Sequence, residues 1–233
     1  MMARTDPMAE QLIFDLPVRQ ALGRADFFIS PSNQHALAVL ENWRNWPEHK
    51  VILTGAAGSG KTHLAQIWAD EVGARIVSAT EVPLLMMDEL EGASIVVEDA
   101  DQPLEIAAET GLFHLHNLVL ASGGYLMVTA KTPPGQWGLK LADLNSRMIA
   151  TPQAALLAPD EALLQAVLMK HFDDHQLVAT PRLLAYMLRR MTRSLSAVRD
   201  VVDDLDRLAM AQKRKLSIDL ASEVLDKHNP EAQ

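Results

Sequence analysis

Between positions 55 and 62 the chain reads Gly55-Ala56-Ala57-Gly58-Ser59-Gly60-Lys61-Thr62, a glycine-rich octet closed by a cation and a hydroxyl. Glycines at that spacing let the backbone curl until successive N–H groups face inward, and a helix starting at its end presents its positive pole to the same point. Such a cradle suits the β-phosphate of a nucleotide. Lys61 adds a point charge, and the Thr62 hydroxyl is placed to bind a magnesium ion bridging the β- and γ-phosphates. The expected ligands are therefore ADP or ATP with Mg2+, held by the octet and by His63, which follows it. The metal also needs hard oxygen ligands and the attacking water needs orientation. Glu98 and Asp99 stand at the end of the apolar run Ser94-Ile95-Val96-Val97. We assign Glu98 to magnesium or its water, and Asp99 to polarising water at the same metal. The alternative is a capping or surface acidic pair, since Asp101 lies nearby.

For these residues to meet, a strand must enter the glycine loop and a helix must leave it. Lys50 to Thr54 is a short β-branched run, and His63 to Val72 reads as a helix. Before them, Ala36, Leu37, Leu40 and Trp43 recur at helical spacing from Asn33 to Trp46. Further strands are predicted at Arg75-Ile76-Val77, at Ser94 to Val97 on a neighbouring buried strand, at Tyr125 to Thr129, and at an edge between Ile149 and Leu157. A helix is predicted from Leu104 to Leu120. That alternation implies a three-layer α/β domain with a parallel sheet. After Pro159 the pattern becomes wholly helical: Glu161 to Phe172, Arg182 to Met191, Ser196 to Lys213 and Asp219 to His228. The expected organisation is a tail over 1–20, an α/β nucleotide-binding domain over 21–158 and an all-helical lid over 159–233. Val198, Val201, Val202, Leu205 and Leu208 make one stripe, read as lid core.

Composition narrows the setting. The 233 residues are 48% hydrophobic, enough for a real core, and carry a formal net charge of -9. An acidic surface repels phosphate backbones, so direct sequence-specific DNA binding is not expected. There is no cysteine, which excludes disulfides, thiolate nucleophiles and Cys-ligated metals and fits a reducing compartment. No apolar stretch reaches membrane-spanning length, so the expected location is the cytoplasm.

With the phosphate loop, the acidic pair, the strand ending Val128-Thr129 and a helical C-terminal part in that order, the chain resembles the AAA+ ATPases. Within them it resembles the DnaA/Hda family of replication initiators and their regulators. Phe27-Phe28-Ile29-Ser30-Pro31-Ser32-Asn33 looks like that family's opening segment, which implies that Phe28 and Asn33 lie against the adenine. Leu144-Asn145-Ser146-Arg147 resembles its serine-arginine element, so Arg147 is implied as a finger reaching a neighbour's nucleotide. Ala197-Val198-Arg199-Asp200 resembles the lid sensor, implying that Arg199 touches the β- or γ-phosphate. Each arginine has a solvated ion pair as its alternative reading.

The resemblance runs from about Gln11 onward and stops where an initiator continues into a helix-turn-helix DNA-binding domain. In that it is similar to the Hda-type regulators. Gln11-Leu12-Ile13-Phe14-Asp15-Leu16-Pro17 looks like their clamp-binding peptide, with Gln11, Leu12, Phe14 and Leu16 entering a pocket on the sliding clamp (the polymerase beta subunit). The same segment could instead pack on its own domain. Glu98 stands where the family has aspartate, and Ala130-Lys131 replaces an acidic sensor. The resemblance therefore implies a regulatory adaptor with weak intrinsic ATPase activity, acting on the initiator DnaA, with a homodimer as a further option. An initiator-like or helicase-loader ATPase, or a small-molecule P-loop kinase, are the alternatives.

Other features point to no site. His114 and His116 diverge on a helix and cannot share a metal. Asp173-Asp174-His175 reads as a polar turn, Lys213-Arg214-Lys215 as cations at a helix end, and Pro133-Pro134-Gly135 with Trp137 as a rigid loop.

Overall fold

The sheet forms because the central strands have apolar interiors, such as Val51-Ile52-Leu53 and Ile95-Val96-Val97, that need cover on both faces. The computed structural model describes residues 27–228 together with strand β1 (Arg19–Gln20), which pairs antiparallel with β2 (Phe28–Ile29). Helix α1 (Gln34–Glu41) leads through short 3-10 turns into β3 (Lys50–Thr54), which passes by the glycine loop to α2 (Lys61–Val72). Strands β4 (Arg75–Ser78) and β5 (Ile95–Glu98) follow, then α3 (Ile106–Ala121), β6 (Leu126–Ala130), α4 (Ala142–Ala150) and β7 (Gln153–Ala155). The strand order is β4-β5-β6-β3-β7, all parallel.

Period-two alternation sorts the sheet's side chains into two cores. Ile52, Ile95, Val97, Leu126 and Val128 join Leu112, Leu115 and Leu144 from α3 and α4 on one face. Val51, Leu53, Val96 and Met127 meet Leu37, Leu40, Leu64 and Trp68 from α1 and α2 on the other. The result is the expected three-layer α/β arrangement.

Three details differ from the sequence reading. The first helix stops at Glu41, and Trp43–Asn45 is a separate 3-10 turn. Ile149 belongs to α4, so the edge strand is only Gln153–Ala155. The strand ending in Glu98 does not adjoin the loop-bearing strand, because β6 lies between them.

The C-terminal part contains α5 (Glu161–Asp174), α6 (Pro181–Arg190), α7 (Leu195–Gln212) and α8 (Ile218–His228), with no strand among the described residues. Val198, Val201, Val202 and Leu205 pack against Leu168, Phe172, Met187 and Val224 in a third core, as the stripe implied. Among the described residues, no helix is long and apolar enough to cross a membrane.

Asp173 and Asp174 belong to α5 and not to a turn, and His175 after them is a tether. His175, the C-cap of α5, sets Nδ1 3.0 Å from Asp206 Oδ2 and Nε2 3.1 Å from Asp203 Oδ1, both on α7. The hydrogen bond to Asp206, helped by Asp203, holds its pKa above the usual 6.5. Folding thus favours the charged ring, so the tether is complete below about pH 6.5 and is lost as pH rises through the raised value. Neighbouring His171, depressed by burial, contributes with the opposite sign. In urea titrations His175→Gln should cost up to about 1 kcal/mol at mildly acid pH, shrinking toward alkaline pH. A deficit that does not change with pH would show that no charge is involved.

Candidate functional site

Parallel strands place all their carboxyl ends on one edge, and a ligand crevice belongs there. Thr54 ends β3 and leads into Gly55, whose N–H donates to Ala130 O at 3.1 Å, tying the loop to the end of β6. Gly58 and Gly60 take φ values of 69° and 102°, the left-handed region where a Cβ is costly. Lys61 opens α2, is nearly buried, and donates from Nζ to Gly55 O at 2.6 Å and Ala56 O at 3.0 Å. Burial holds its ammonium below the usual lysine value, against attraction from Asp99, Asp101 and Glu98. Thr62 and His63 are exposed on the first turn of α2, and His63 meets the Phe27 ring edge-on at 5.6 Å.

Glu98 ends β5 with Oε1 buried and no protein partner. Asp99 is exposed, has φ 56°, and donates its N–H to Thr129 Oγ1 at 3.1 Å. Asp101 is a brace: its Oδ2 accepts from Lys131 N (2.8 Å), Thr132 N (3.0 Å) and Thr132 Oγ1 (3.2 Å). An orphaned Glu98 oxygen, an exposed carboxylate at Asp99 and the Thr62 hydroxyl are hard donors suited to magnesium beside a phosphate. Ser59 Oγ, buried within the loop, also has no protein partner.

Next to the loop is a cavity of about 30 Å3 whose walls include Phe27, Phe28, Asn33, His63, Leu163 and Leu195. The structure thus places Phe28, Asn33 and His63 around one cavity. The Asn33 amide, however, is engaged: Oδ1 accepts from Ser30 N at 2.9 Å and Nδ2 donates to Phe28 O at 2.8 Å. It shapes the wall instead of offering free donors. Sequence reading missed Leu156, Leu163, Val167 and Leu195, apolar residues that line the same cavity from the far end of the chain.

Of the two arginines, Arg147 lies elsewhere, whereas Arg199 is on α7, whose first residue reaches the loop. Arg147, exposed on α4, sets its guanidinium carbon 5.2 Å from the Phe113 ring centroid and lines a cavity of about 460 Å3 with Glu48, His49, His116 and Asn117. Glu48 and His49 immediately precede β3, so this cavity is at the amino edge of the sheet, the length of a five-residue strand, roughly 16 Å, from the loop. His116 in that cavity is pushed down to about 4 by burial, with Lys50 adding to it, and is neutral. Arg199 is exposed on α7, with Nε 3.7 Å from Asp200 Oδ1. The tail positions Gln11, Leu12, Phe14 and Leu16 lie outside the described residues.

Fold and loop together define an α/β structure of the AAA+ type. No protein-family model matches the chain. Among solved structures, domain III of the Thermotoga maritima replication initiation protein DnaA superposes with a TM-score of 0.74 at 19% identity, covering 87% of this chain and 94% of that one. AMPPCP-bound DnaA from Aquifex aeolicus gives 0.65 at 15% identity over 88% of this chain and 68% of that one. The FIGL-1 AAA domain in complex with ADP gives 0.68 at 12%, over 93% and 87%. At these identities the shared property is the fold, which is DnaA-like.

Lys61 is the test of the cradle. Lys61→Ala removes a charge-assisted donor, so calorimetry with magnesium and ADP should show about a tenfold or greater loss of affinity with helical content unchanged. Equal affinity would take Lys61 out of any phosphate contact.

Proposed function

We propose that this chain is a nucleotide-binding AAA+ regulator of chromosomal replication initiation. It holds ADP or ATP with Mg2+ and acts with the sliding clamp to stimulate ATP hydrolysis by the initiator DnaA in the cytoplasm. The observation that carries this reading is the placement of Arg147 at the sheet edge opposite its own phosphate loop, sharing a cavity with Glu48 and His49. There it has no route to its own nucleotide and is free to enter a partner's. Similar structures add support, among them domain III of a replication initiation protein and DnaA bound to AMPPCP.

In this reading the octet Gly55 to Thr62, with His63, Phe28 and Asn33, holds the nucleotide. Lys61 and Arg199 serve the phosphates, and Thr62, Glu98 and Asp99 serve magnesium and its water. Glu98 in place of the resembled family's aspartate, and Ala130-Lys131 in place of its acidic sensor, suit retention of nucleotide more than rapid turnover, so intrinsic hydrolysis is weak in this reading. Residues 1–20 carry the clamp peptide, 21–158 the nucleotide domain and 159–233 the lid.

One similar structure is an initiator bound to AMPPCP and single-stranded DNA, which favours a second reading as an initiator-like or helicase-loader ATPase acting on DNA. The net charge of -9 opposes it.

An arginine finger is worth about three to five orders of magnitude in rate. Arg147→Ala should keep nucleotide affinity while abolishing stimulation of initiator ATPase in a reaction containing clamp; unchanged stimulation would remove Arg147 from the mechanism. Separately, Gln11→Ala should weaken retention on immobilised clamp, and equal retention of variant and wild type would discard the clamp peptide.

A further inference from the structure

The helical part touches the phosphate loop directly. The backbone N–H of Leu195, first residue of α7, donates to Gly58 O at 2.8 Å. Ser194 and Ser196 flank that bond and close on Gly58 itself. A methyl group added at Gly58 would lie 1.9 Å from Ser194 Oγ, 2.7 Å from Ser196 Oγ and 3.0 Å from Ser194 Cβ. Neither hydroxyl is idle, since they share a 2.8 Å hydrogen bond and Ser194 Oγ accepts from Ala197 N at 3.4 Å to cap α7. The contact is a fitted seat, and only a glycine in the loop accommodates it.

The side chain between the two serines enters the cavity beside the loop. Leu195 lines that space with Phe28, Asn33 and His63, and its Cδ1 would be 3.2 Å from a methyl group at Gly60. With the seat made, the cavity measures about 30 Å3. Pockets that hold small organic ligands run to about 300 Å3 or more. The seated lid and a nucleotide base therefore compete for one space.

A second tie between the helical part and the core lies beside the same cavity. Asp160 accepts from Ser32 N at 3.2 Å through Oδ2 and from Leu163 N at 2.9 Å through Oδ1, joining the segment before α1 to the start of α5. Burial works against its charge, yet hydrogen bonds from Leu163, Ser30 and Ser32 hold its pKa below the usual carboxylate value.

We propose that the Leu195–Gly58 hydrogen bond, with Ser194 and Ser196 seated on Gly58, is an autoinhibitory latch that closes the base pocket and must break before nucleotide enters. The proposal rests on the nucleotide-binding reading above. Leu195→Pro tests it without altering the loop. Proline lacks the N–H, is at home at the first position of a helix, and suits the extended Ser194 before it, which has φ -147° and ψ 136°.

Two readouts on the full chain separate the outcomes. Stopped-flow fluorescence with methylanthraniloyl-ADP should give an association rate about three- to tenfold faster for Leu195→Pro than for wild type, the equivalent of one lost hydrogen bond. Because the chain contains no cysteine, probes on Glu41→Cys and Met210→Cys label only those exposed sites and report core-to-lid distance. Leu195→Pro should lengthen it, and so should Gly58→Ala, which attacks the same seat from the loop side and is read by distance alone. Both variants keeping the wild-type distance, or Leu195→Pro opening the lid with no gain in association rate, would overturn the latch. No fluorescent nucleotide binding by wild type or variant, with the lid still opening, would overturn the nucleotide reading and leave the contact as a structural one.

Discussion

Parallel pairing is the constraint from which the site follows. Five strands pointing one way deliver five carboxyl ends to a single edge, and there the loop at Gly55, the acidic pair at Glu98 and Asp99, and Thr129 come together. Strand β6 does the joining. Its last residues accept from Gly55 N and Ala100 N, and the Thr129 hydroxyl accepts from Asp99 N. The glycine loop and the acidic pair are thus held in register through a strand that contributes no charged group. Rigidity at that edge matters because an anion site made of backbone amides loses its value if the amides reorient.

Much of this was legible in the sequence where the determining forces are local. A complete glycine-lysine-threonine octet fixes its own turn, and apolar runs such as Val51-Ile52-Leu53 fix their own strands. Helical spacing of Val198, Val201, Val202 and Leu205 marked a buried face, which is indeed the core of the helical part. What escaped was spatial adjacency across long stretches of chain. Nothing in the run of residues says that β6 inserts between β3 and β5, since strand order is decided by packing of α3 and α2 on opposite faces. The same holds for Leu163, Val167 and Leu195, which look like ordinary helix interior until the fold turns them toward Phe28. His175 read as a turn residue because its partners, Asp203 and Asp206, lie a full helix away.

Polar side chains within the site divide by whether their bonding capacity is already spent. Asn33 and Asp101 use theirs on backbone groups nearby and act as scaffold. Glu98 Oε1 and Ser59 Oγ are buried with capacity unspent. Burying an acceptor without a partner costs about 1–3 kcal/mol, so such atoms mark places where something outside the chain completes the bonding. Composition could never have drawn this distinction, because asparagine and aspartate are equally good candidates on paper.

The sheet's direction also decides how copies of such a chain can associate. The loop follows the carboxyl end of β3, while the cavity at Arg147 lies before its amino end, about one strand length away. A neighbour that covers one edge squarely leaves the other open, so either edge can be occupied without touching its counterpart. Two copies bring unlike edges together when they lie side by side and reversed about a two-fold axis, or when they follow one another head-to-tail; stacking like edge on like edge does neither.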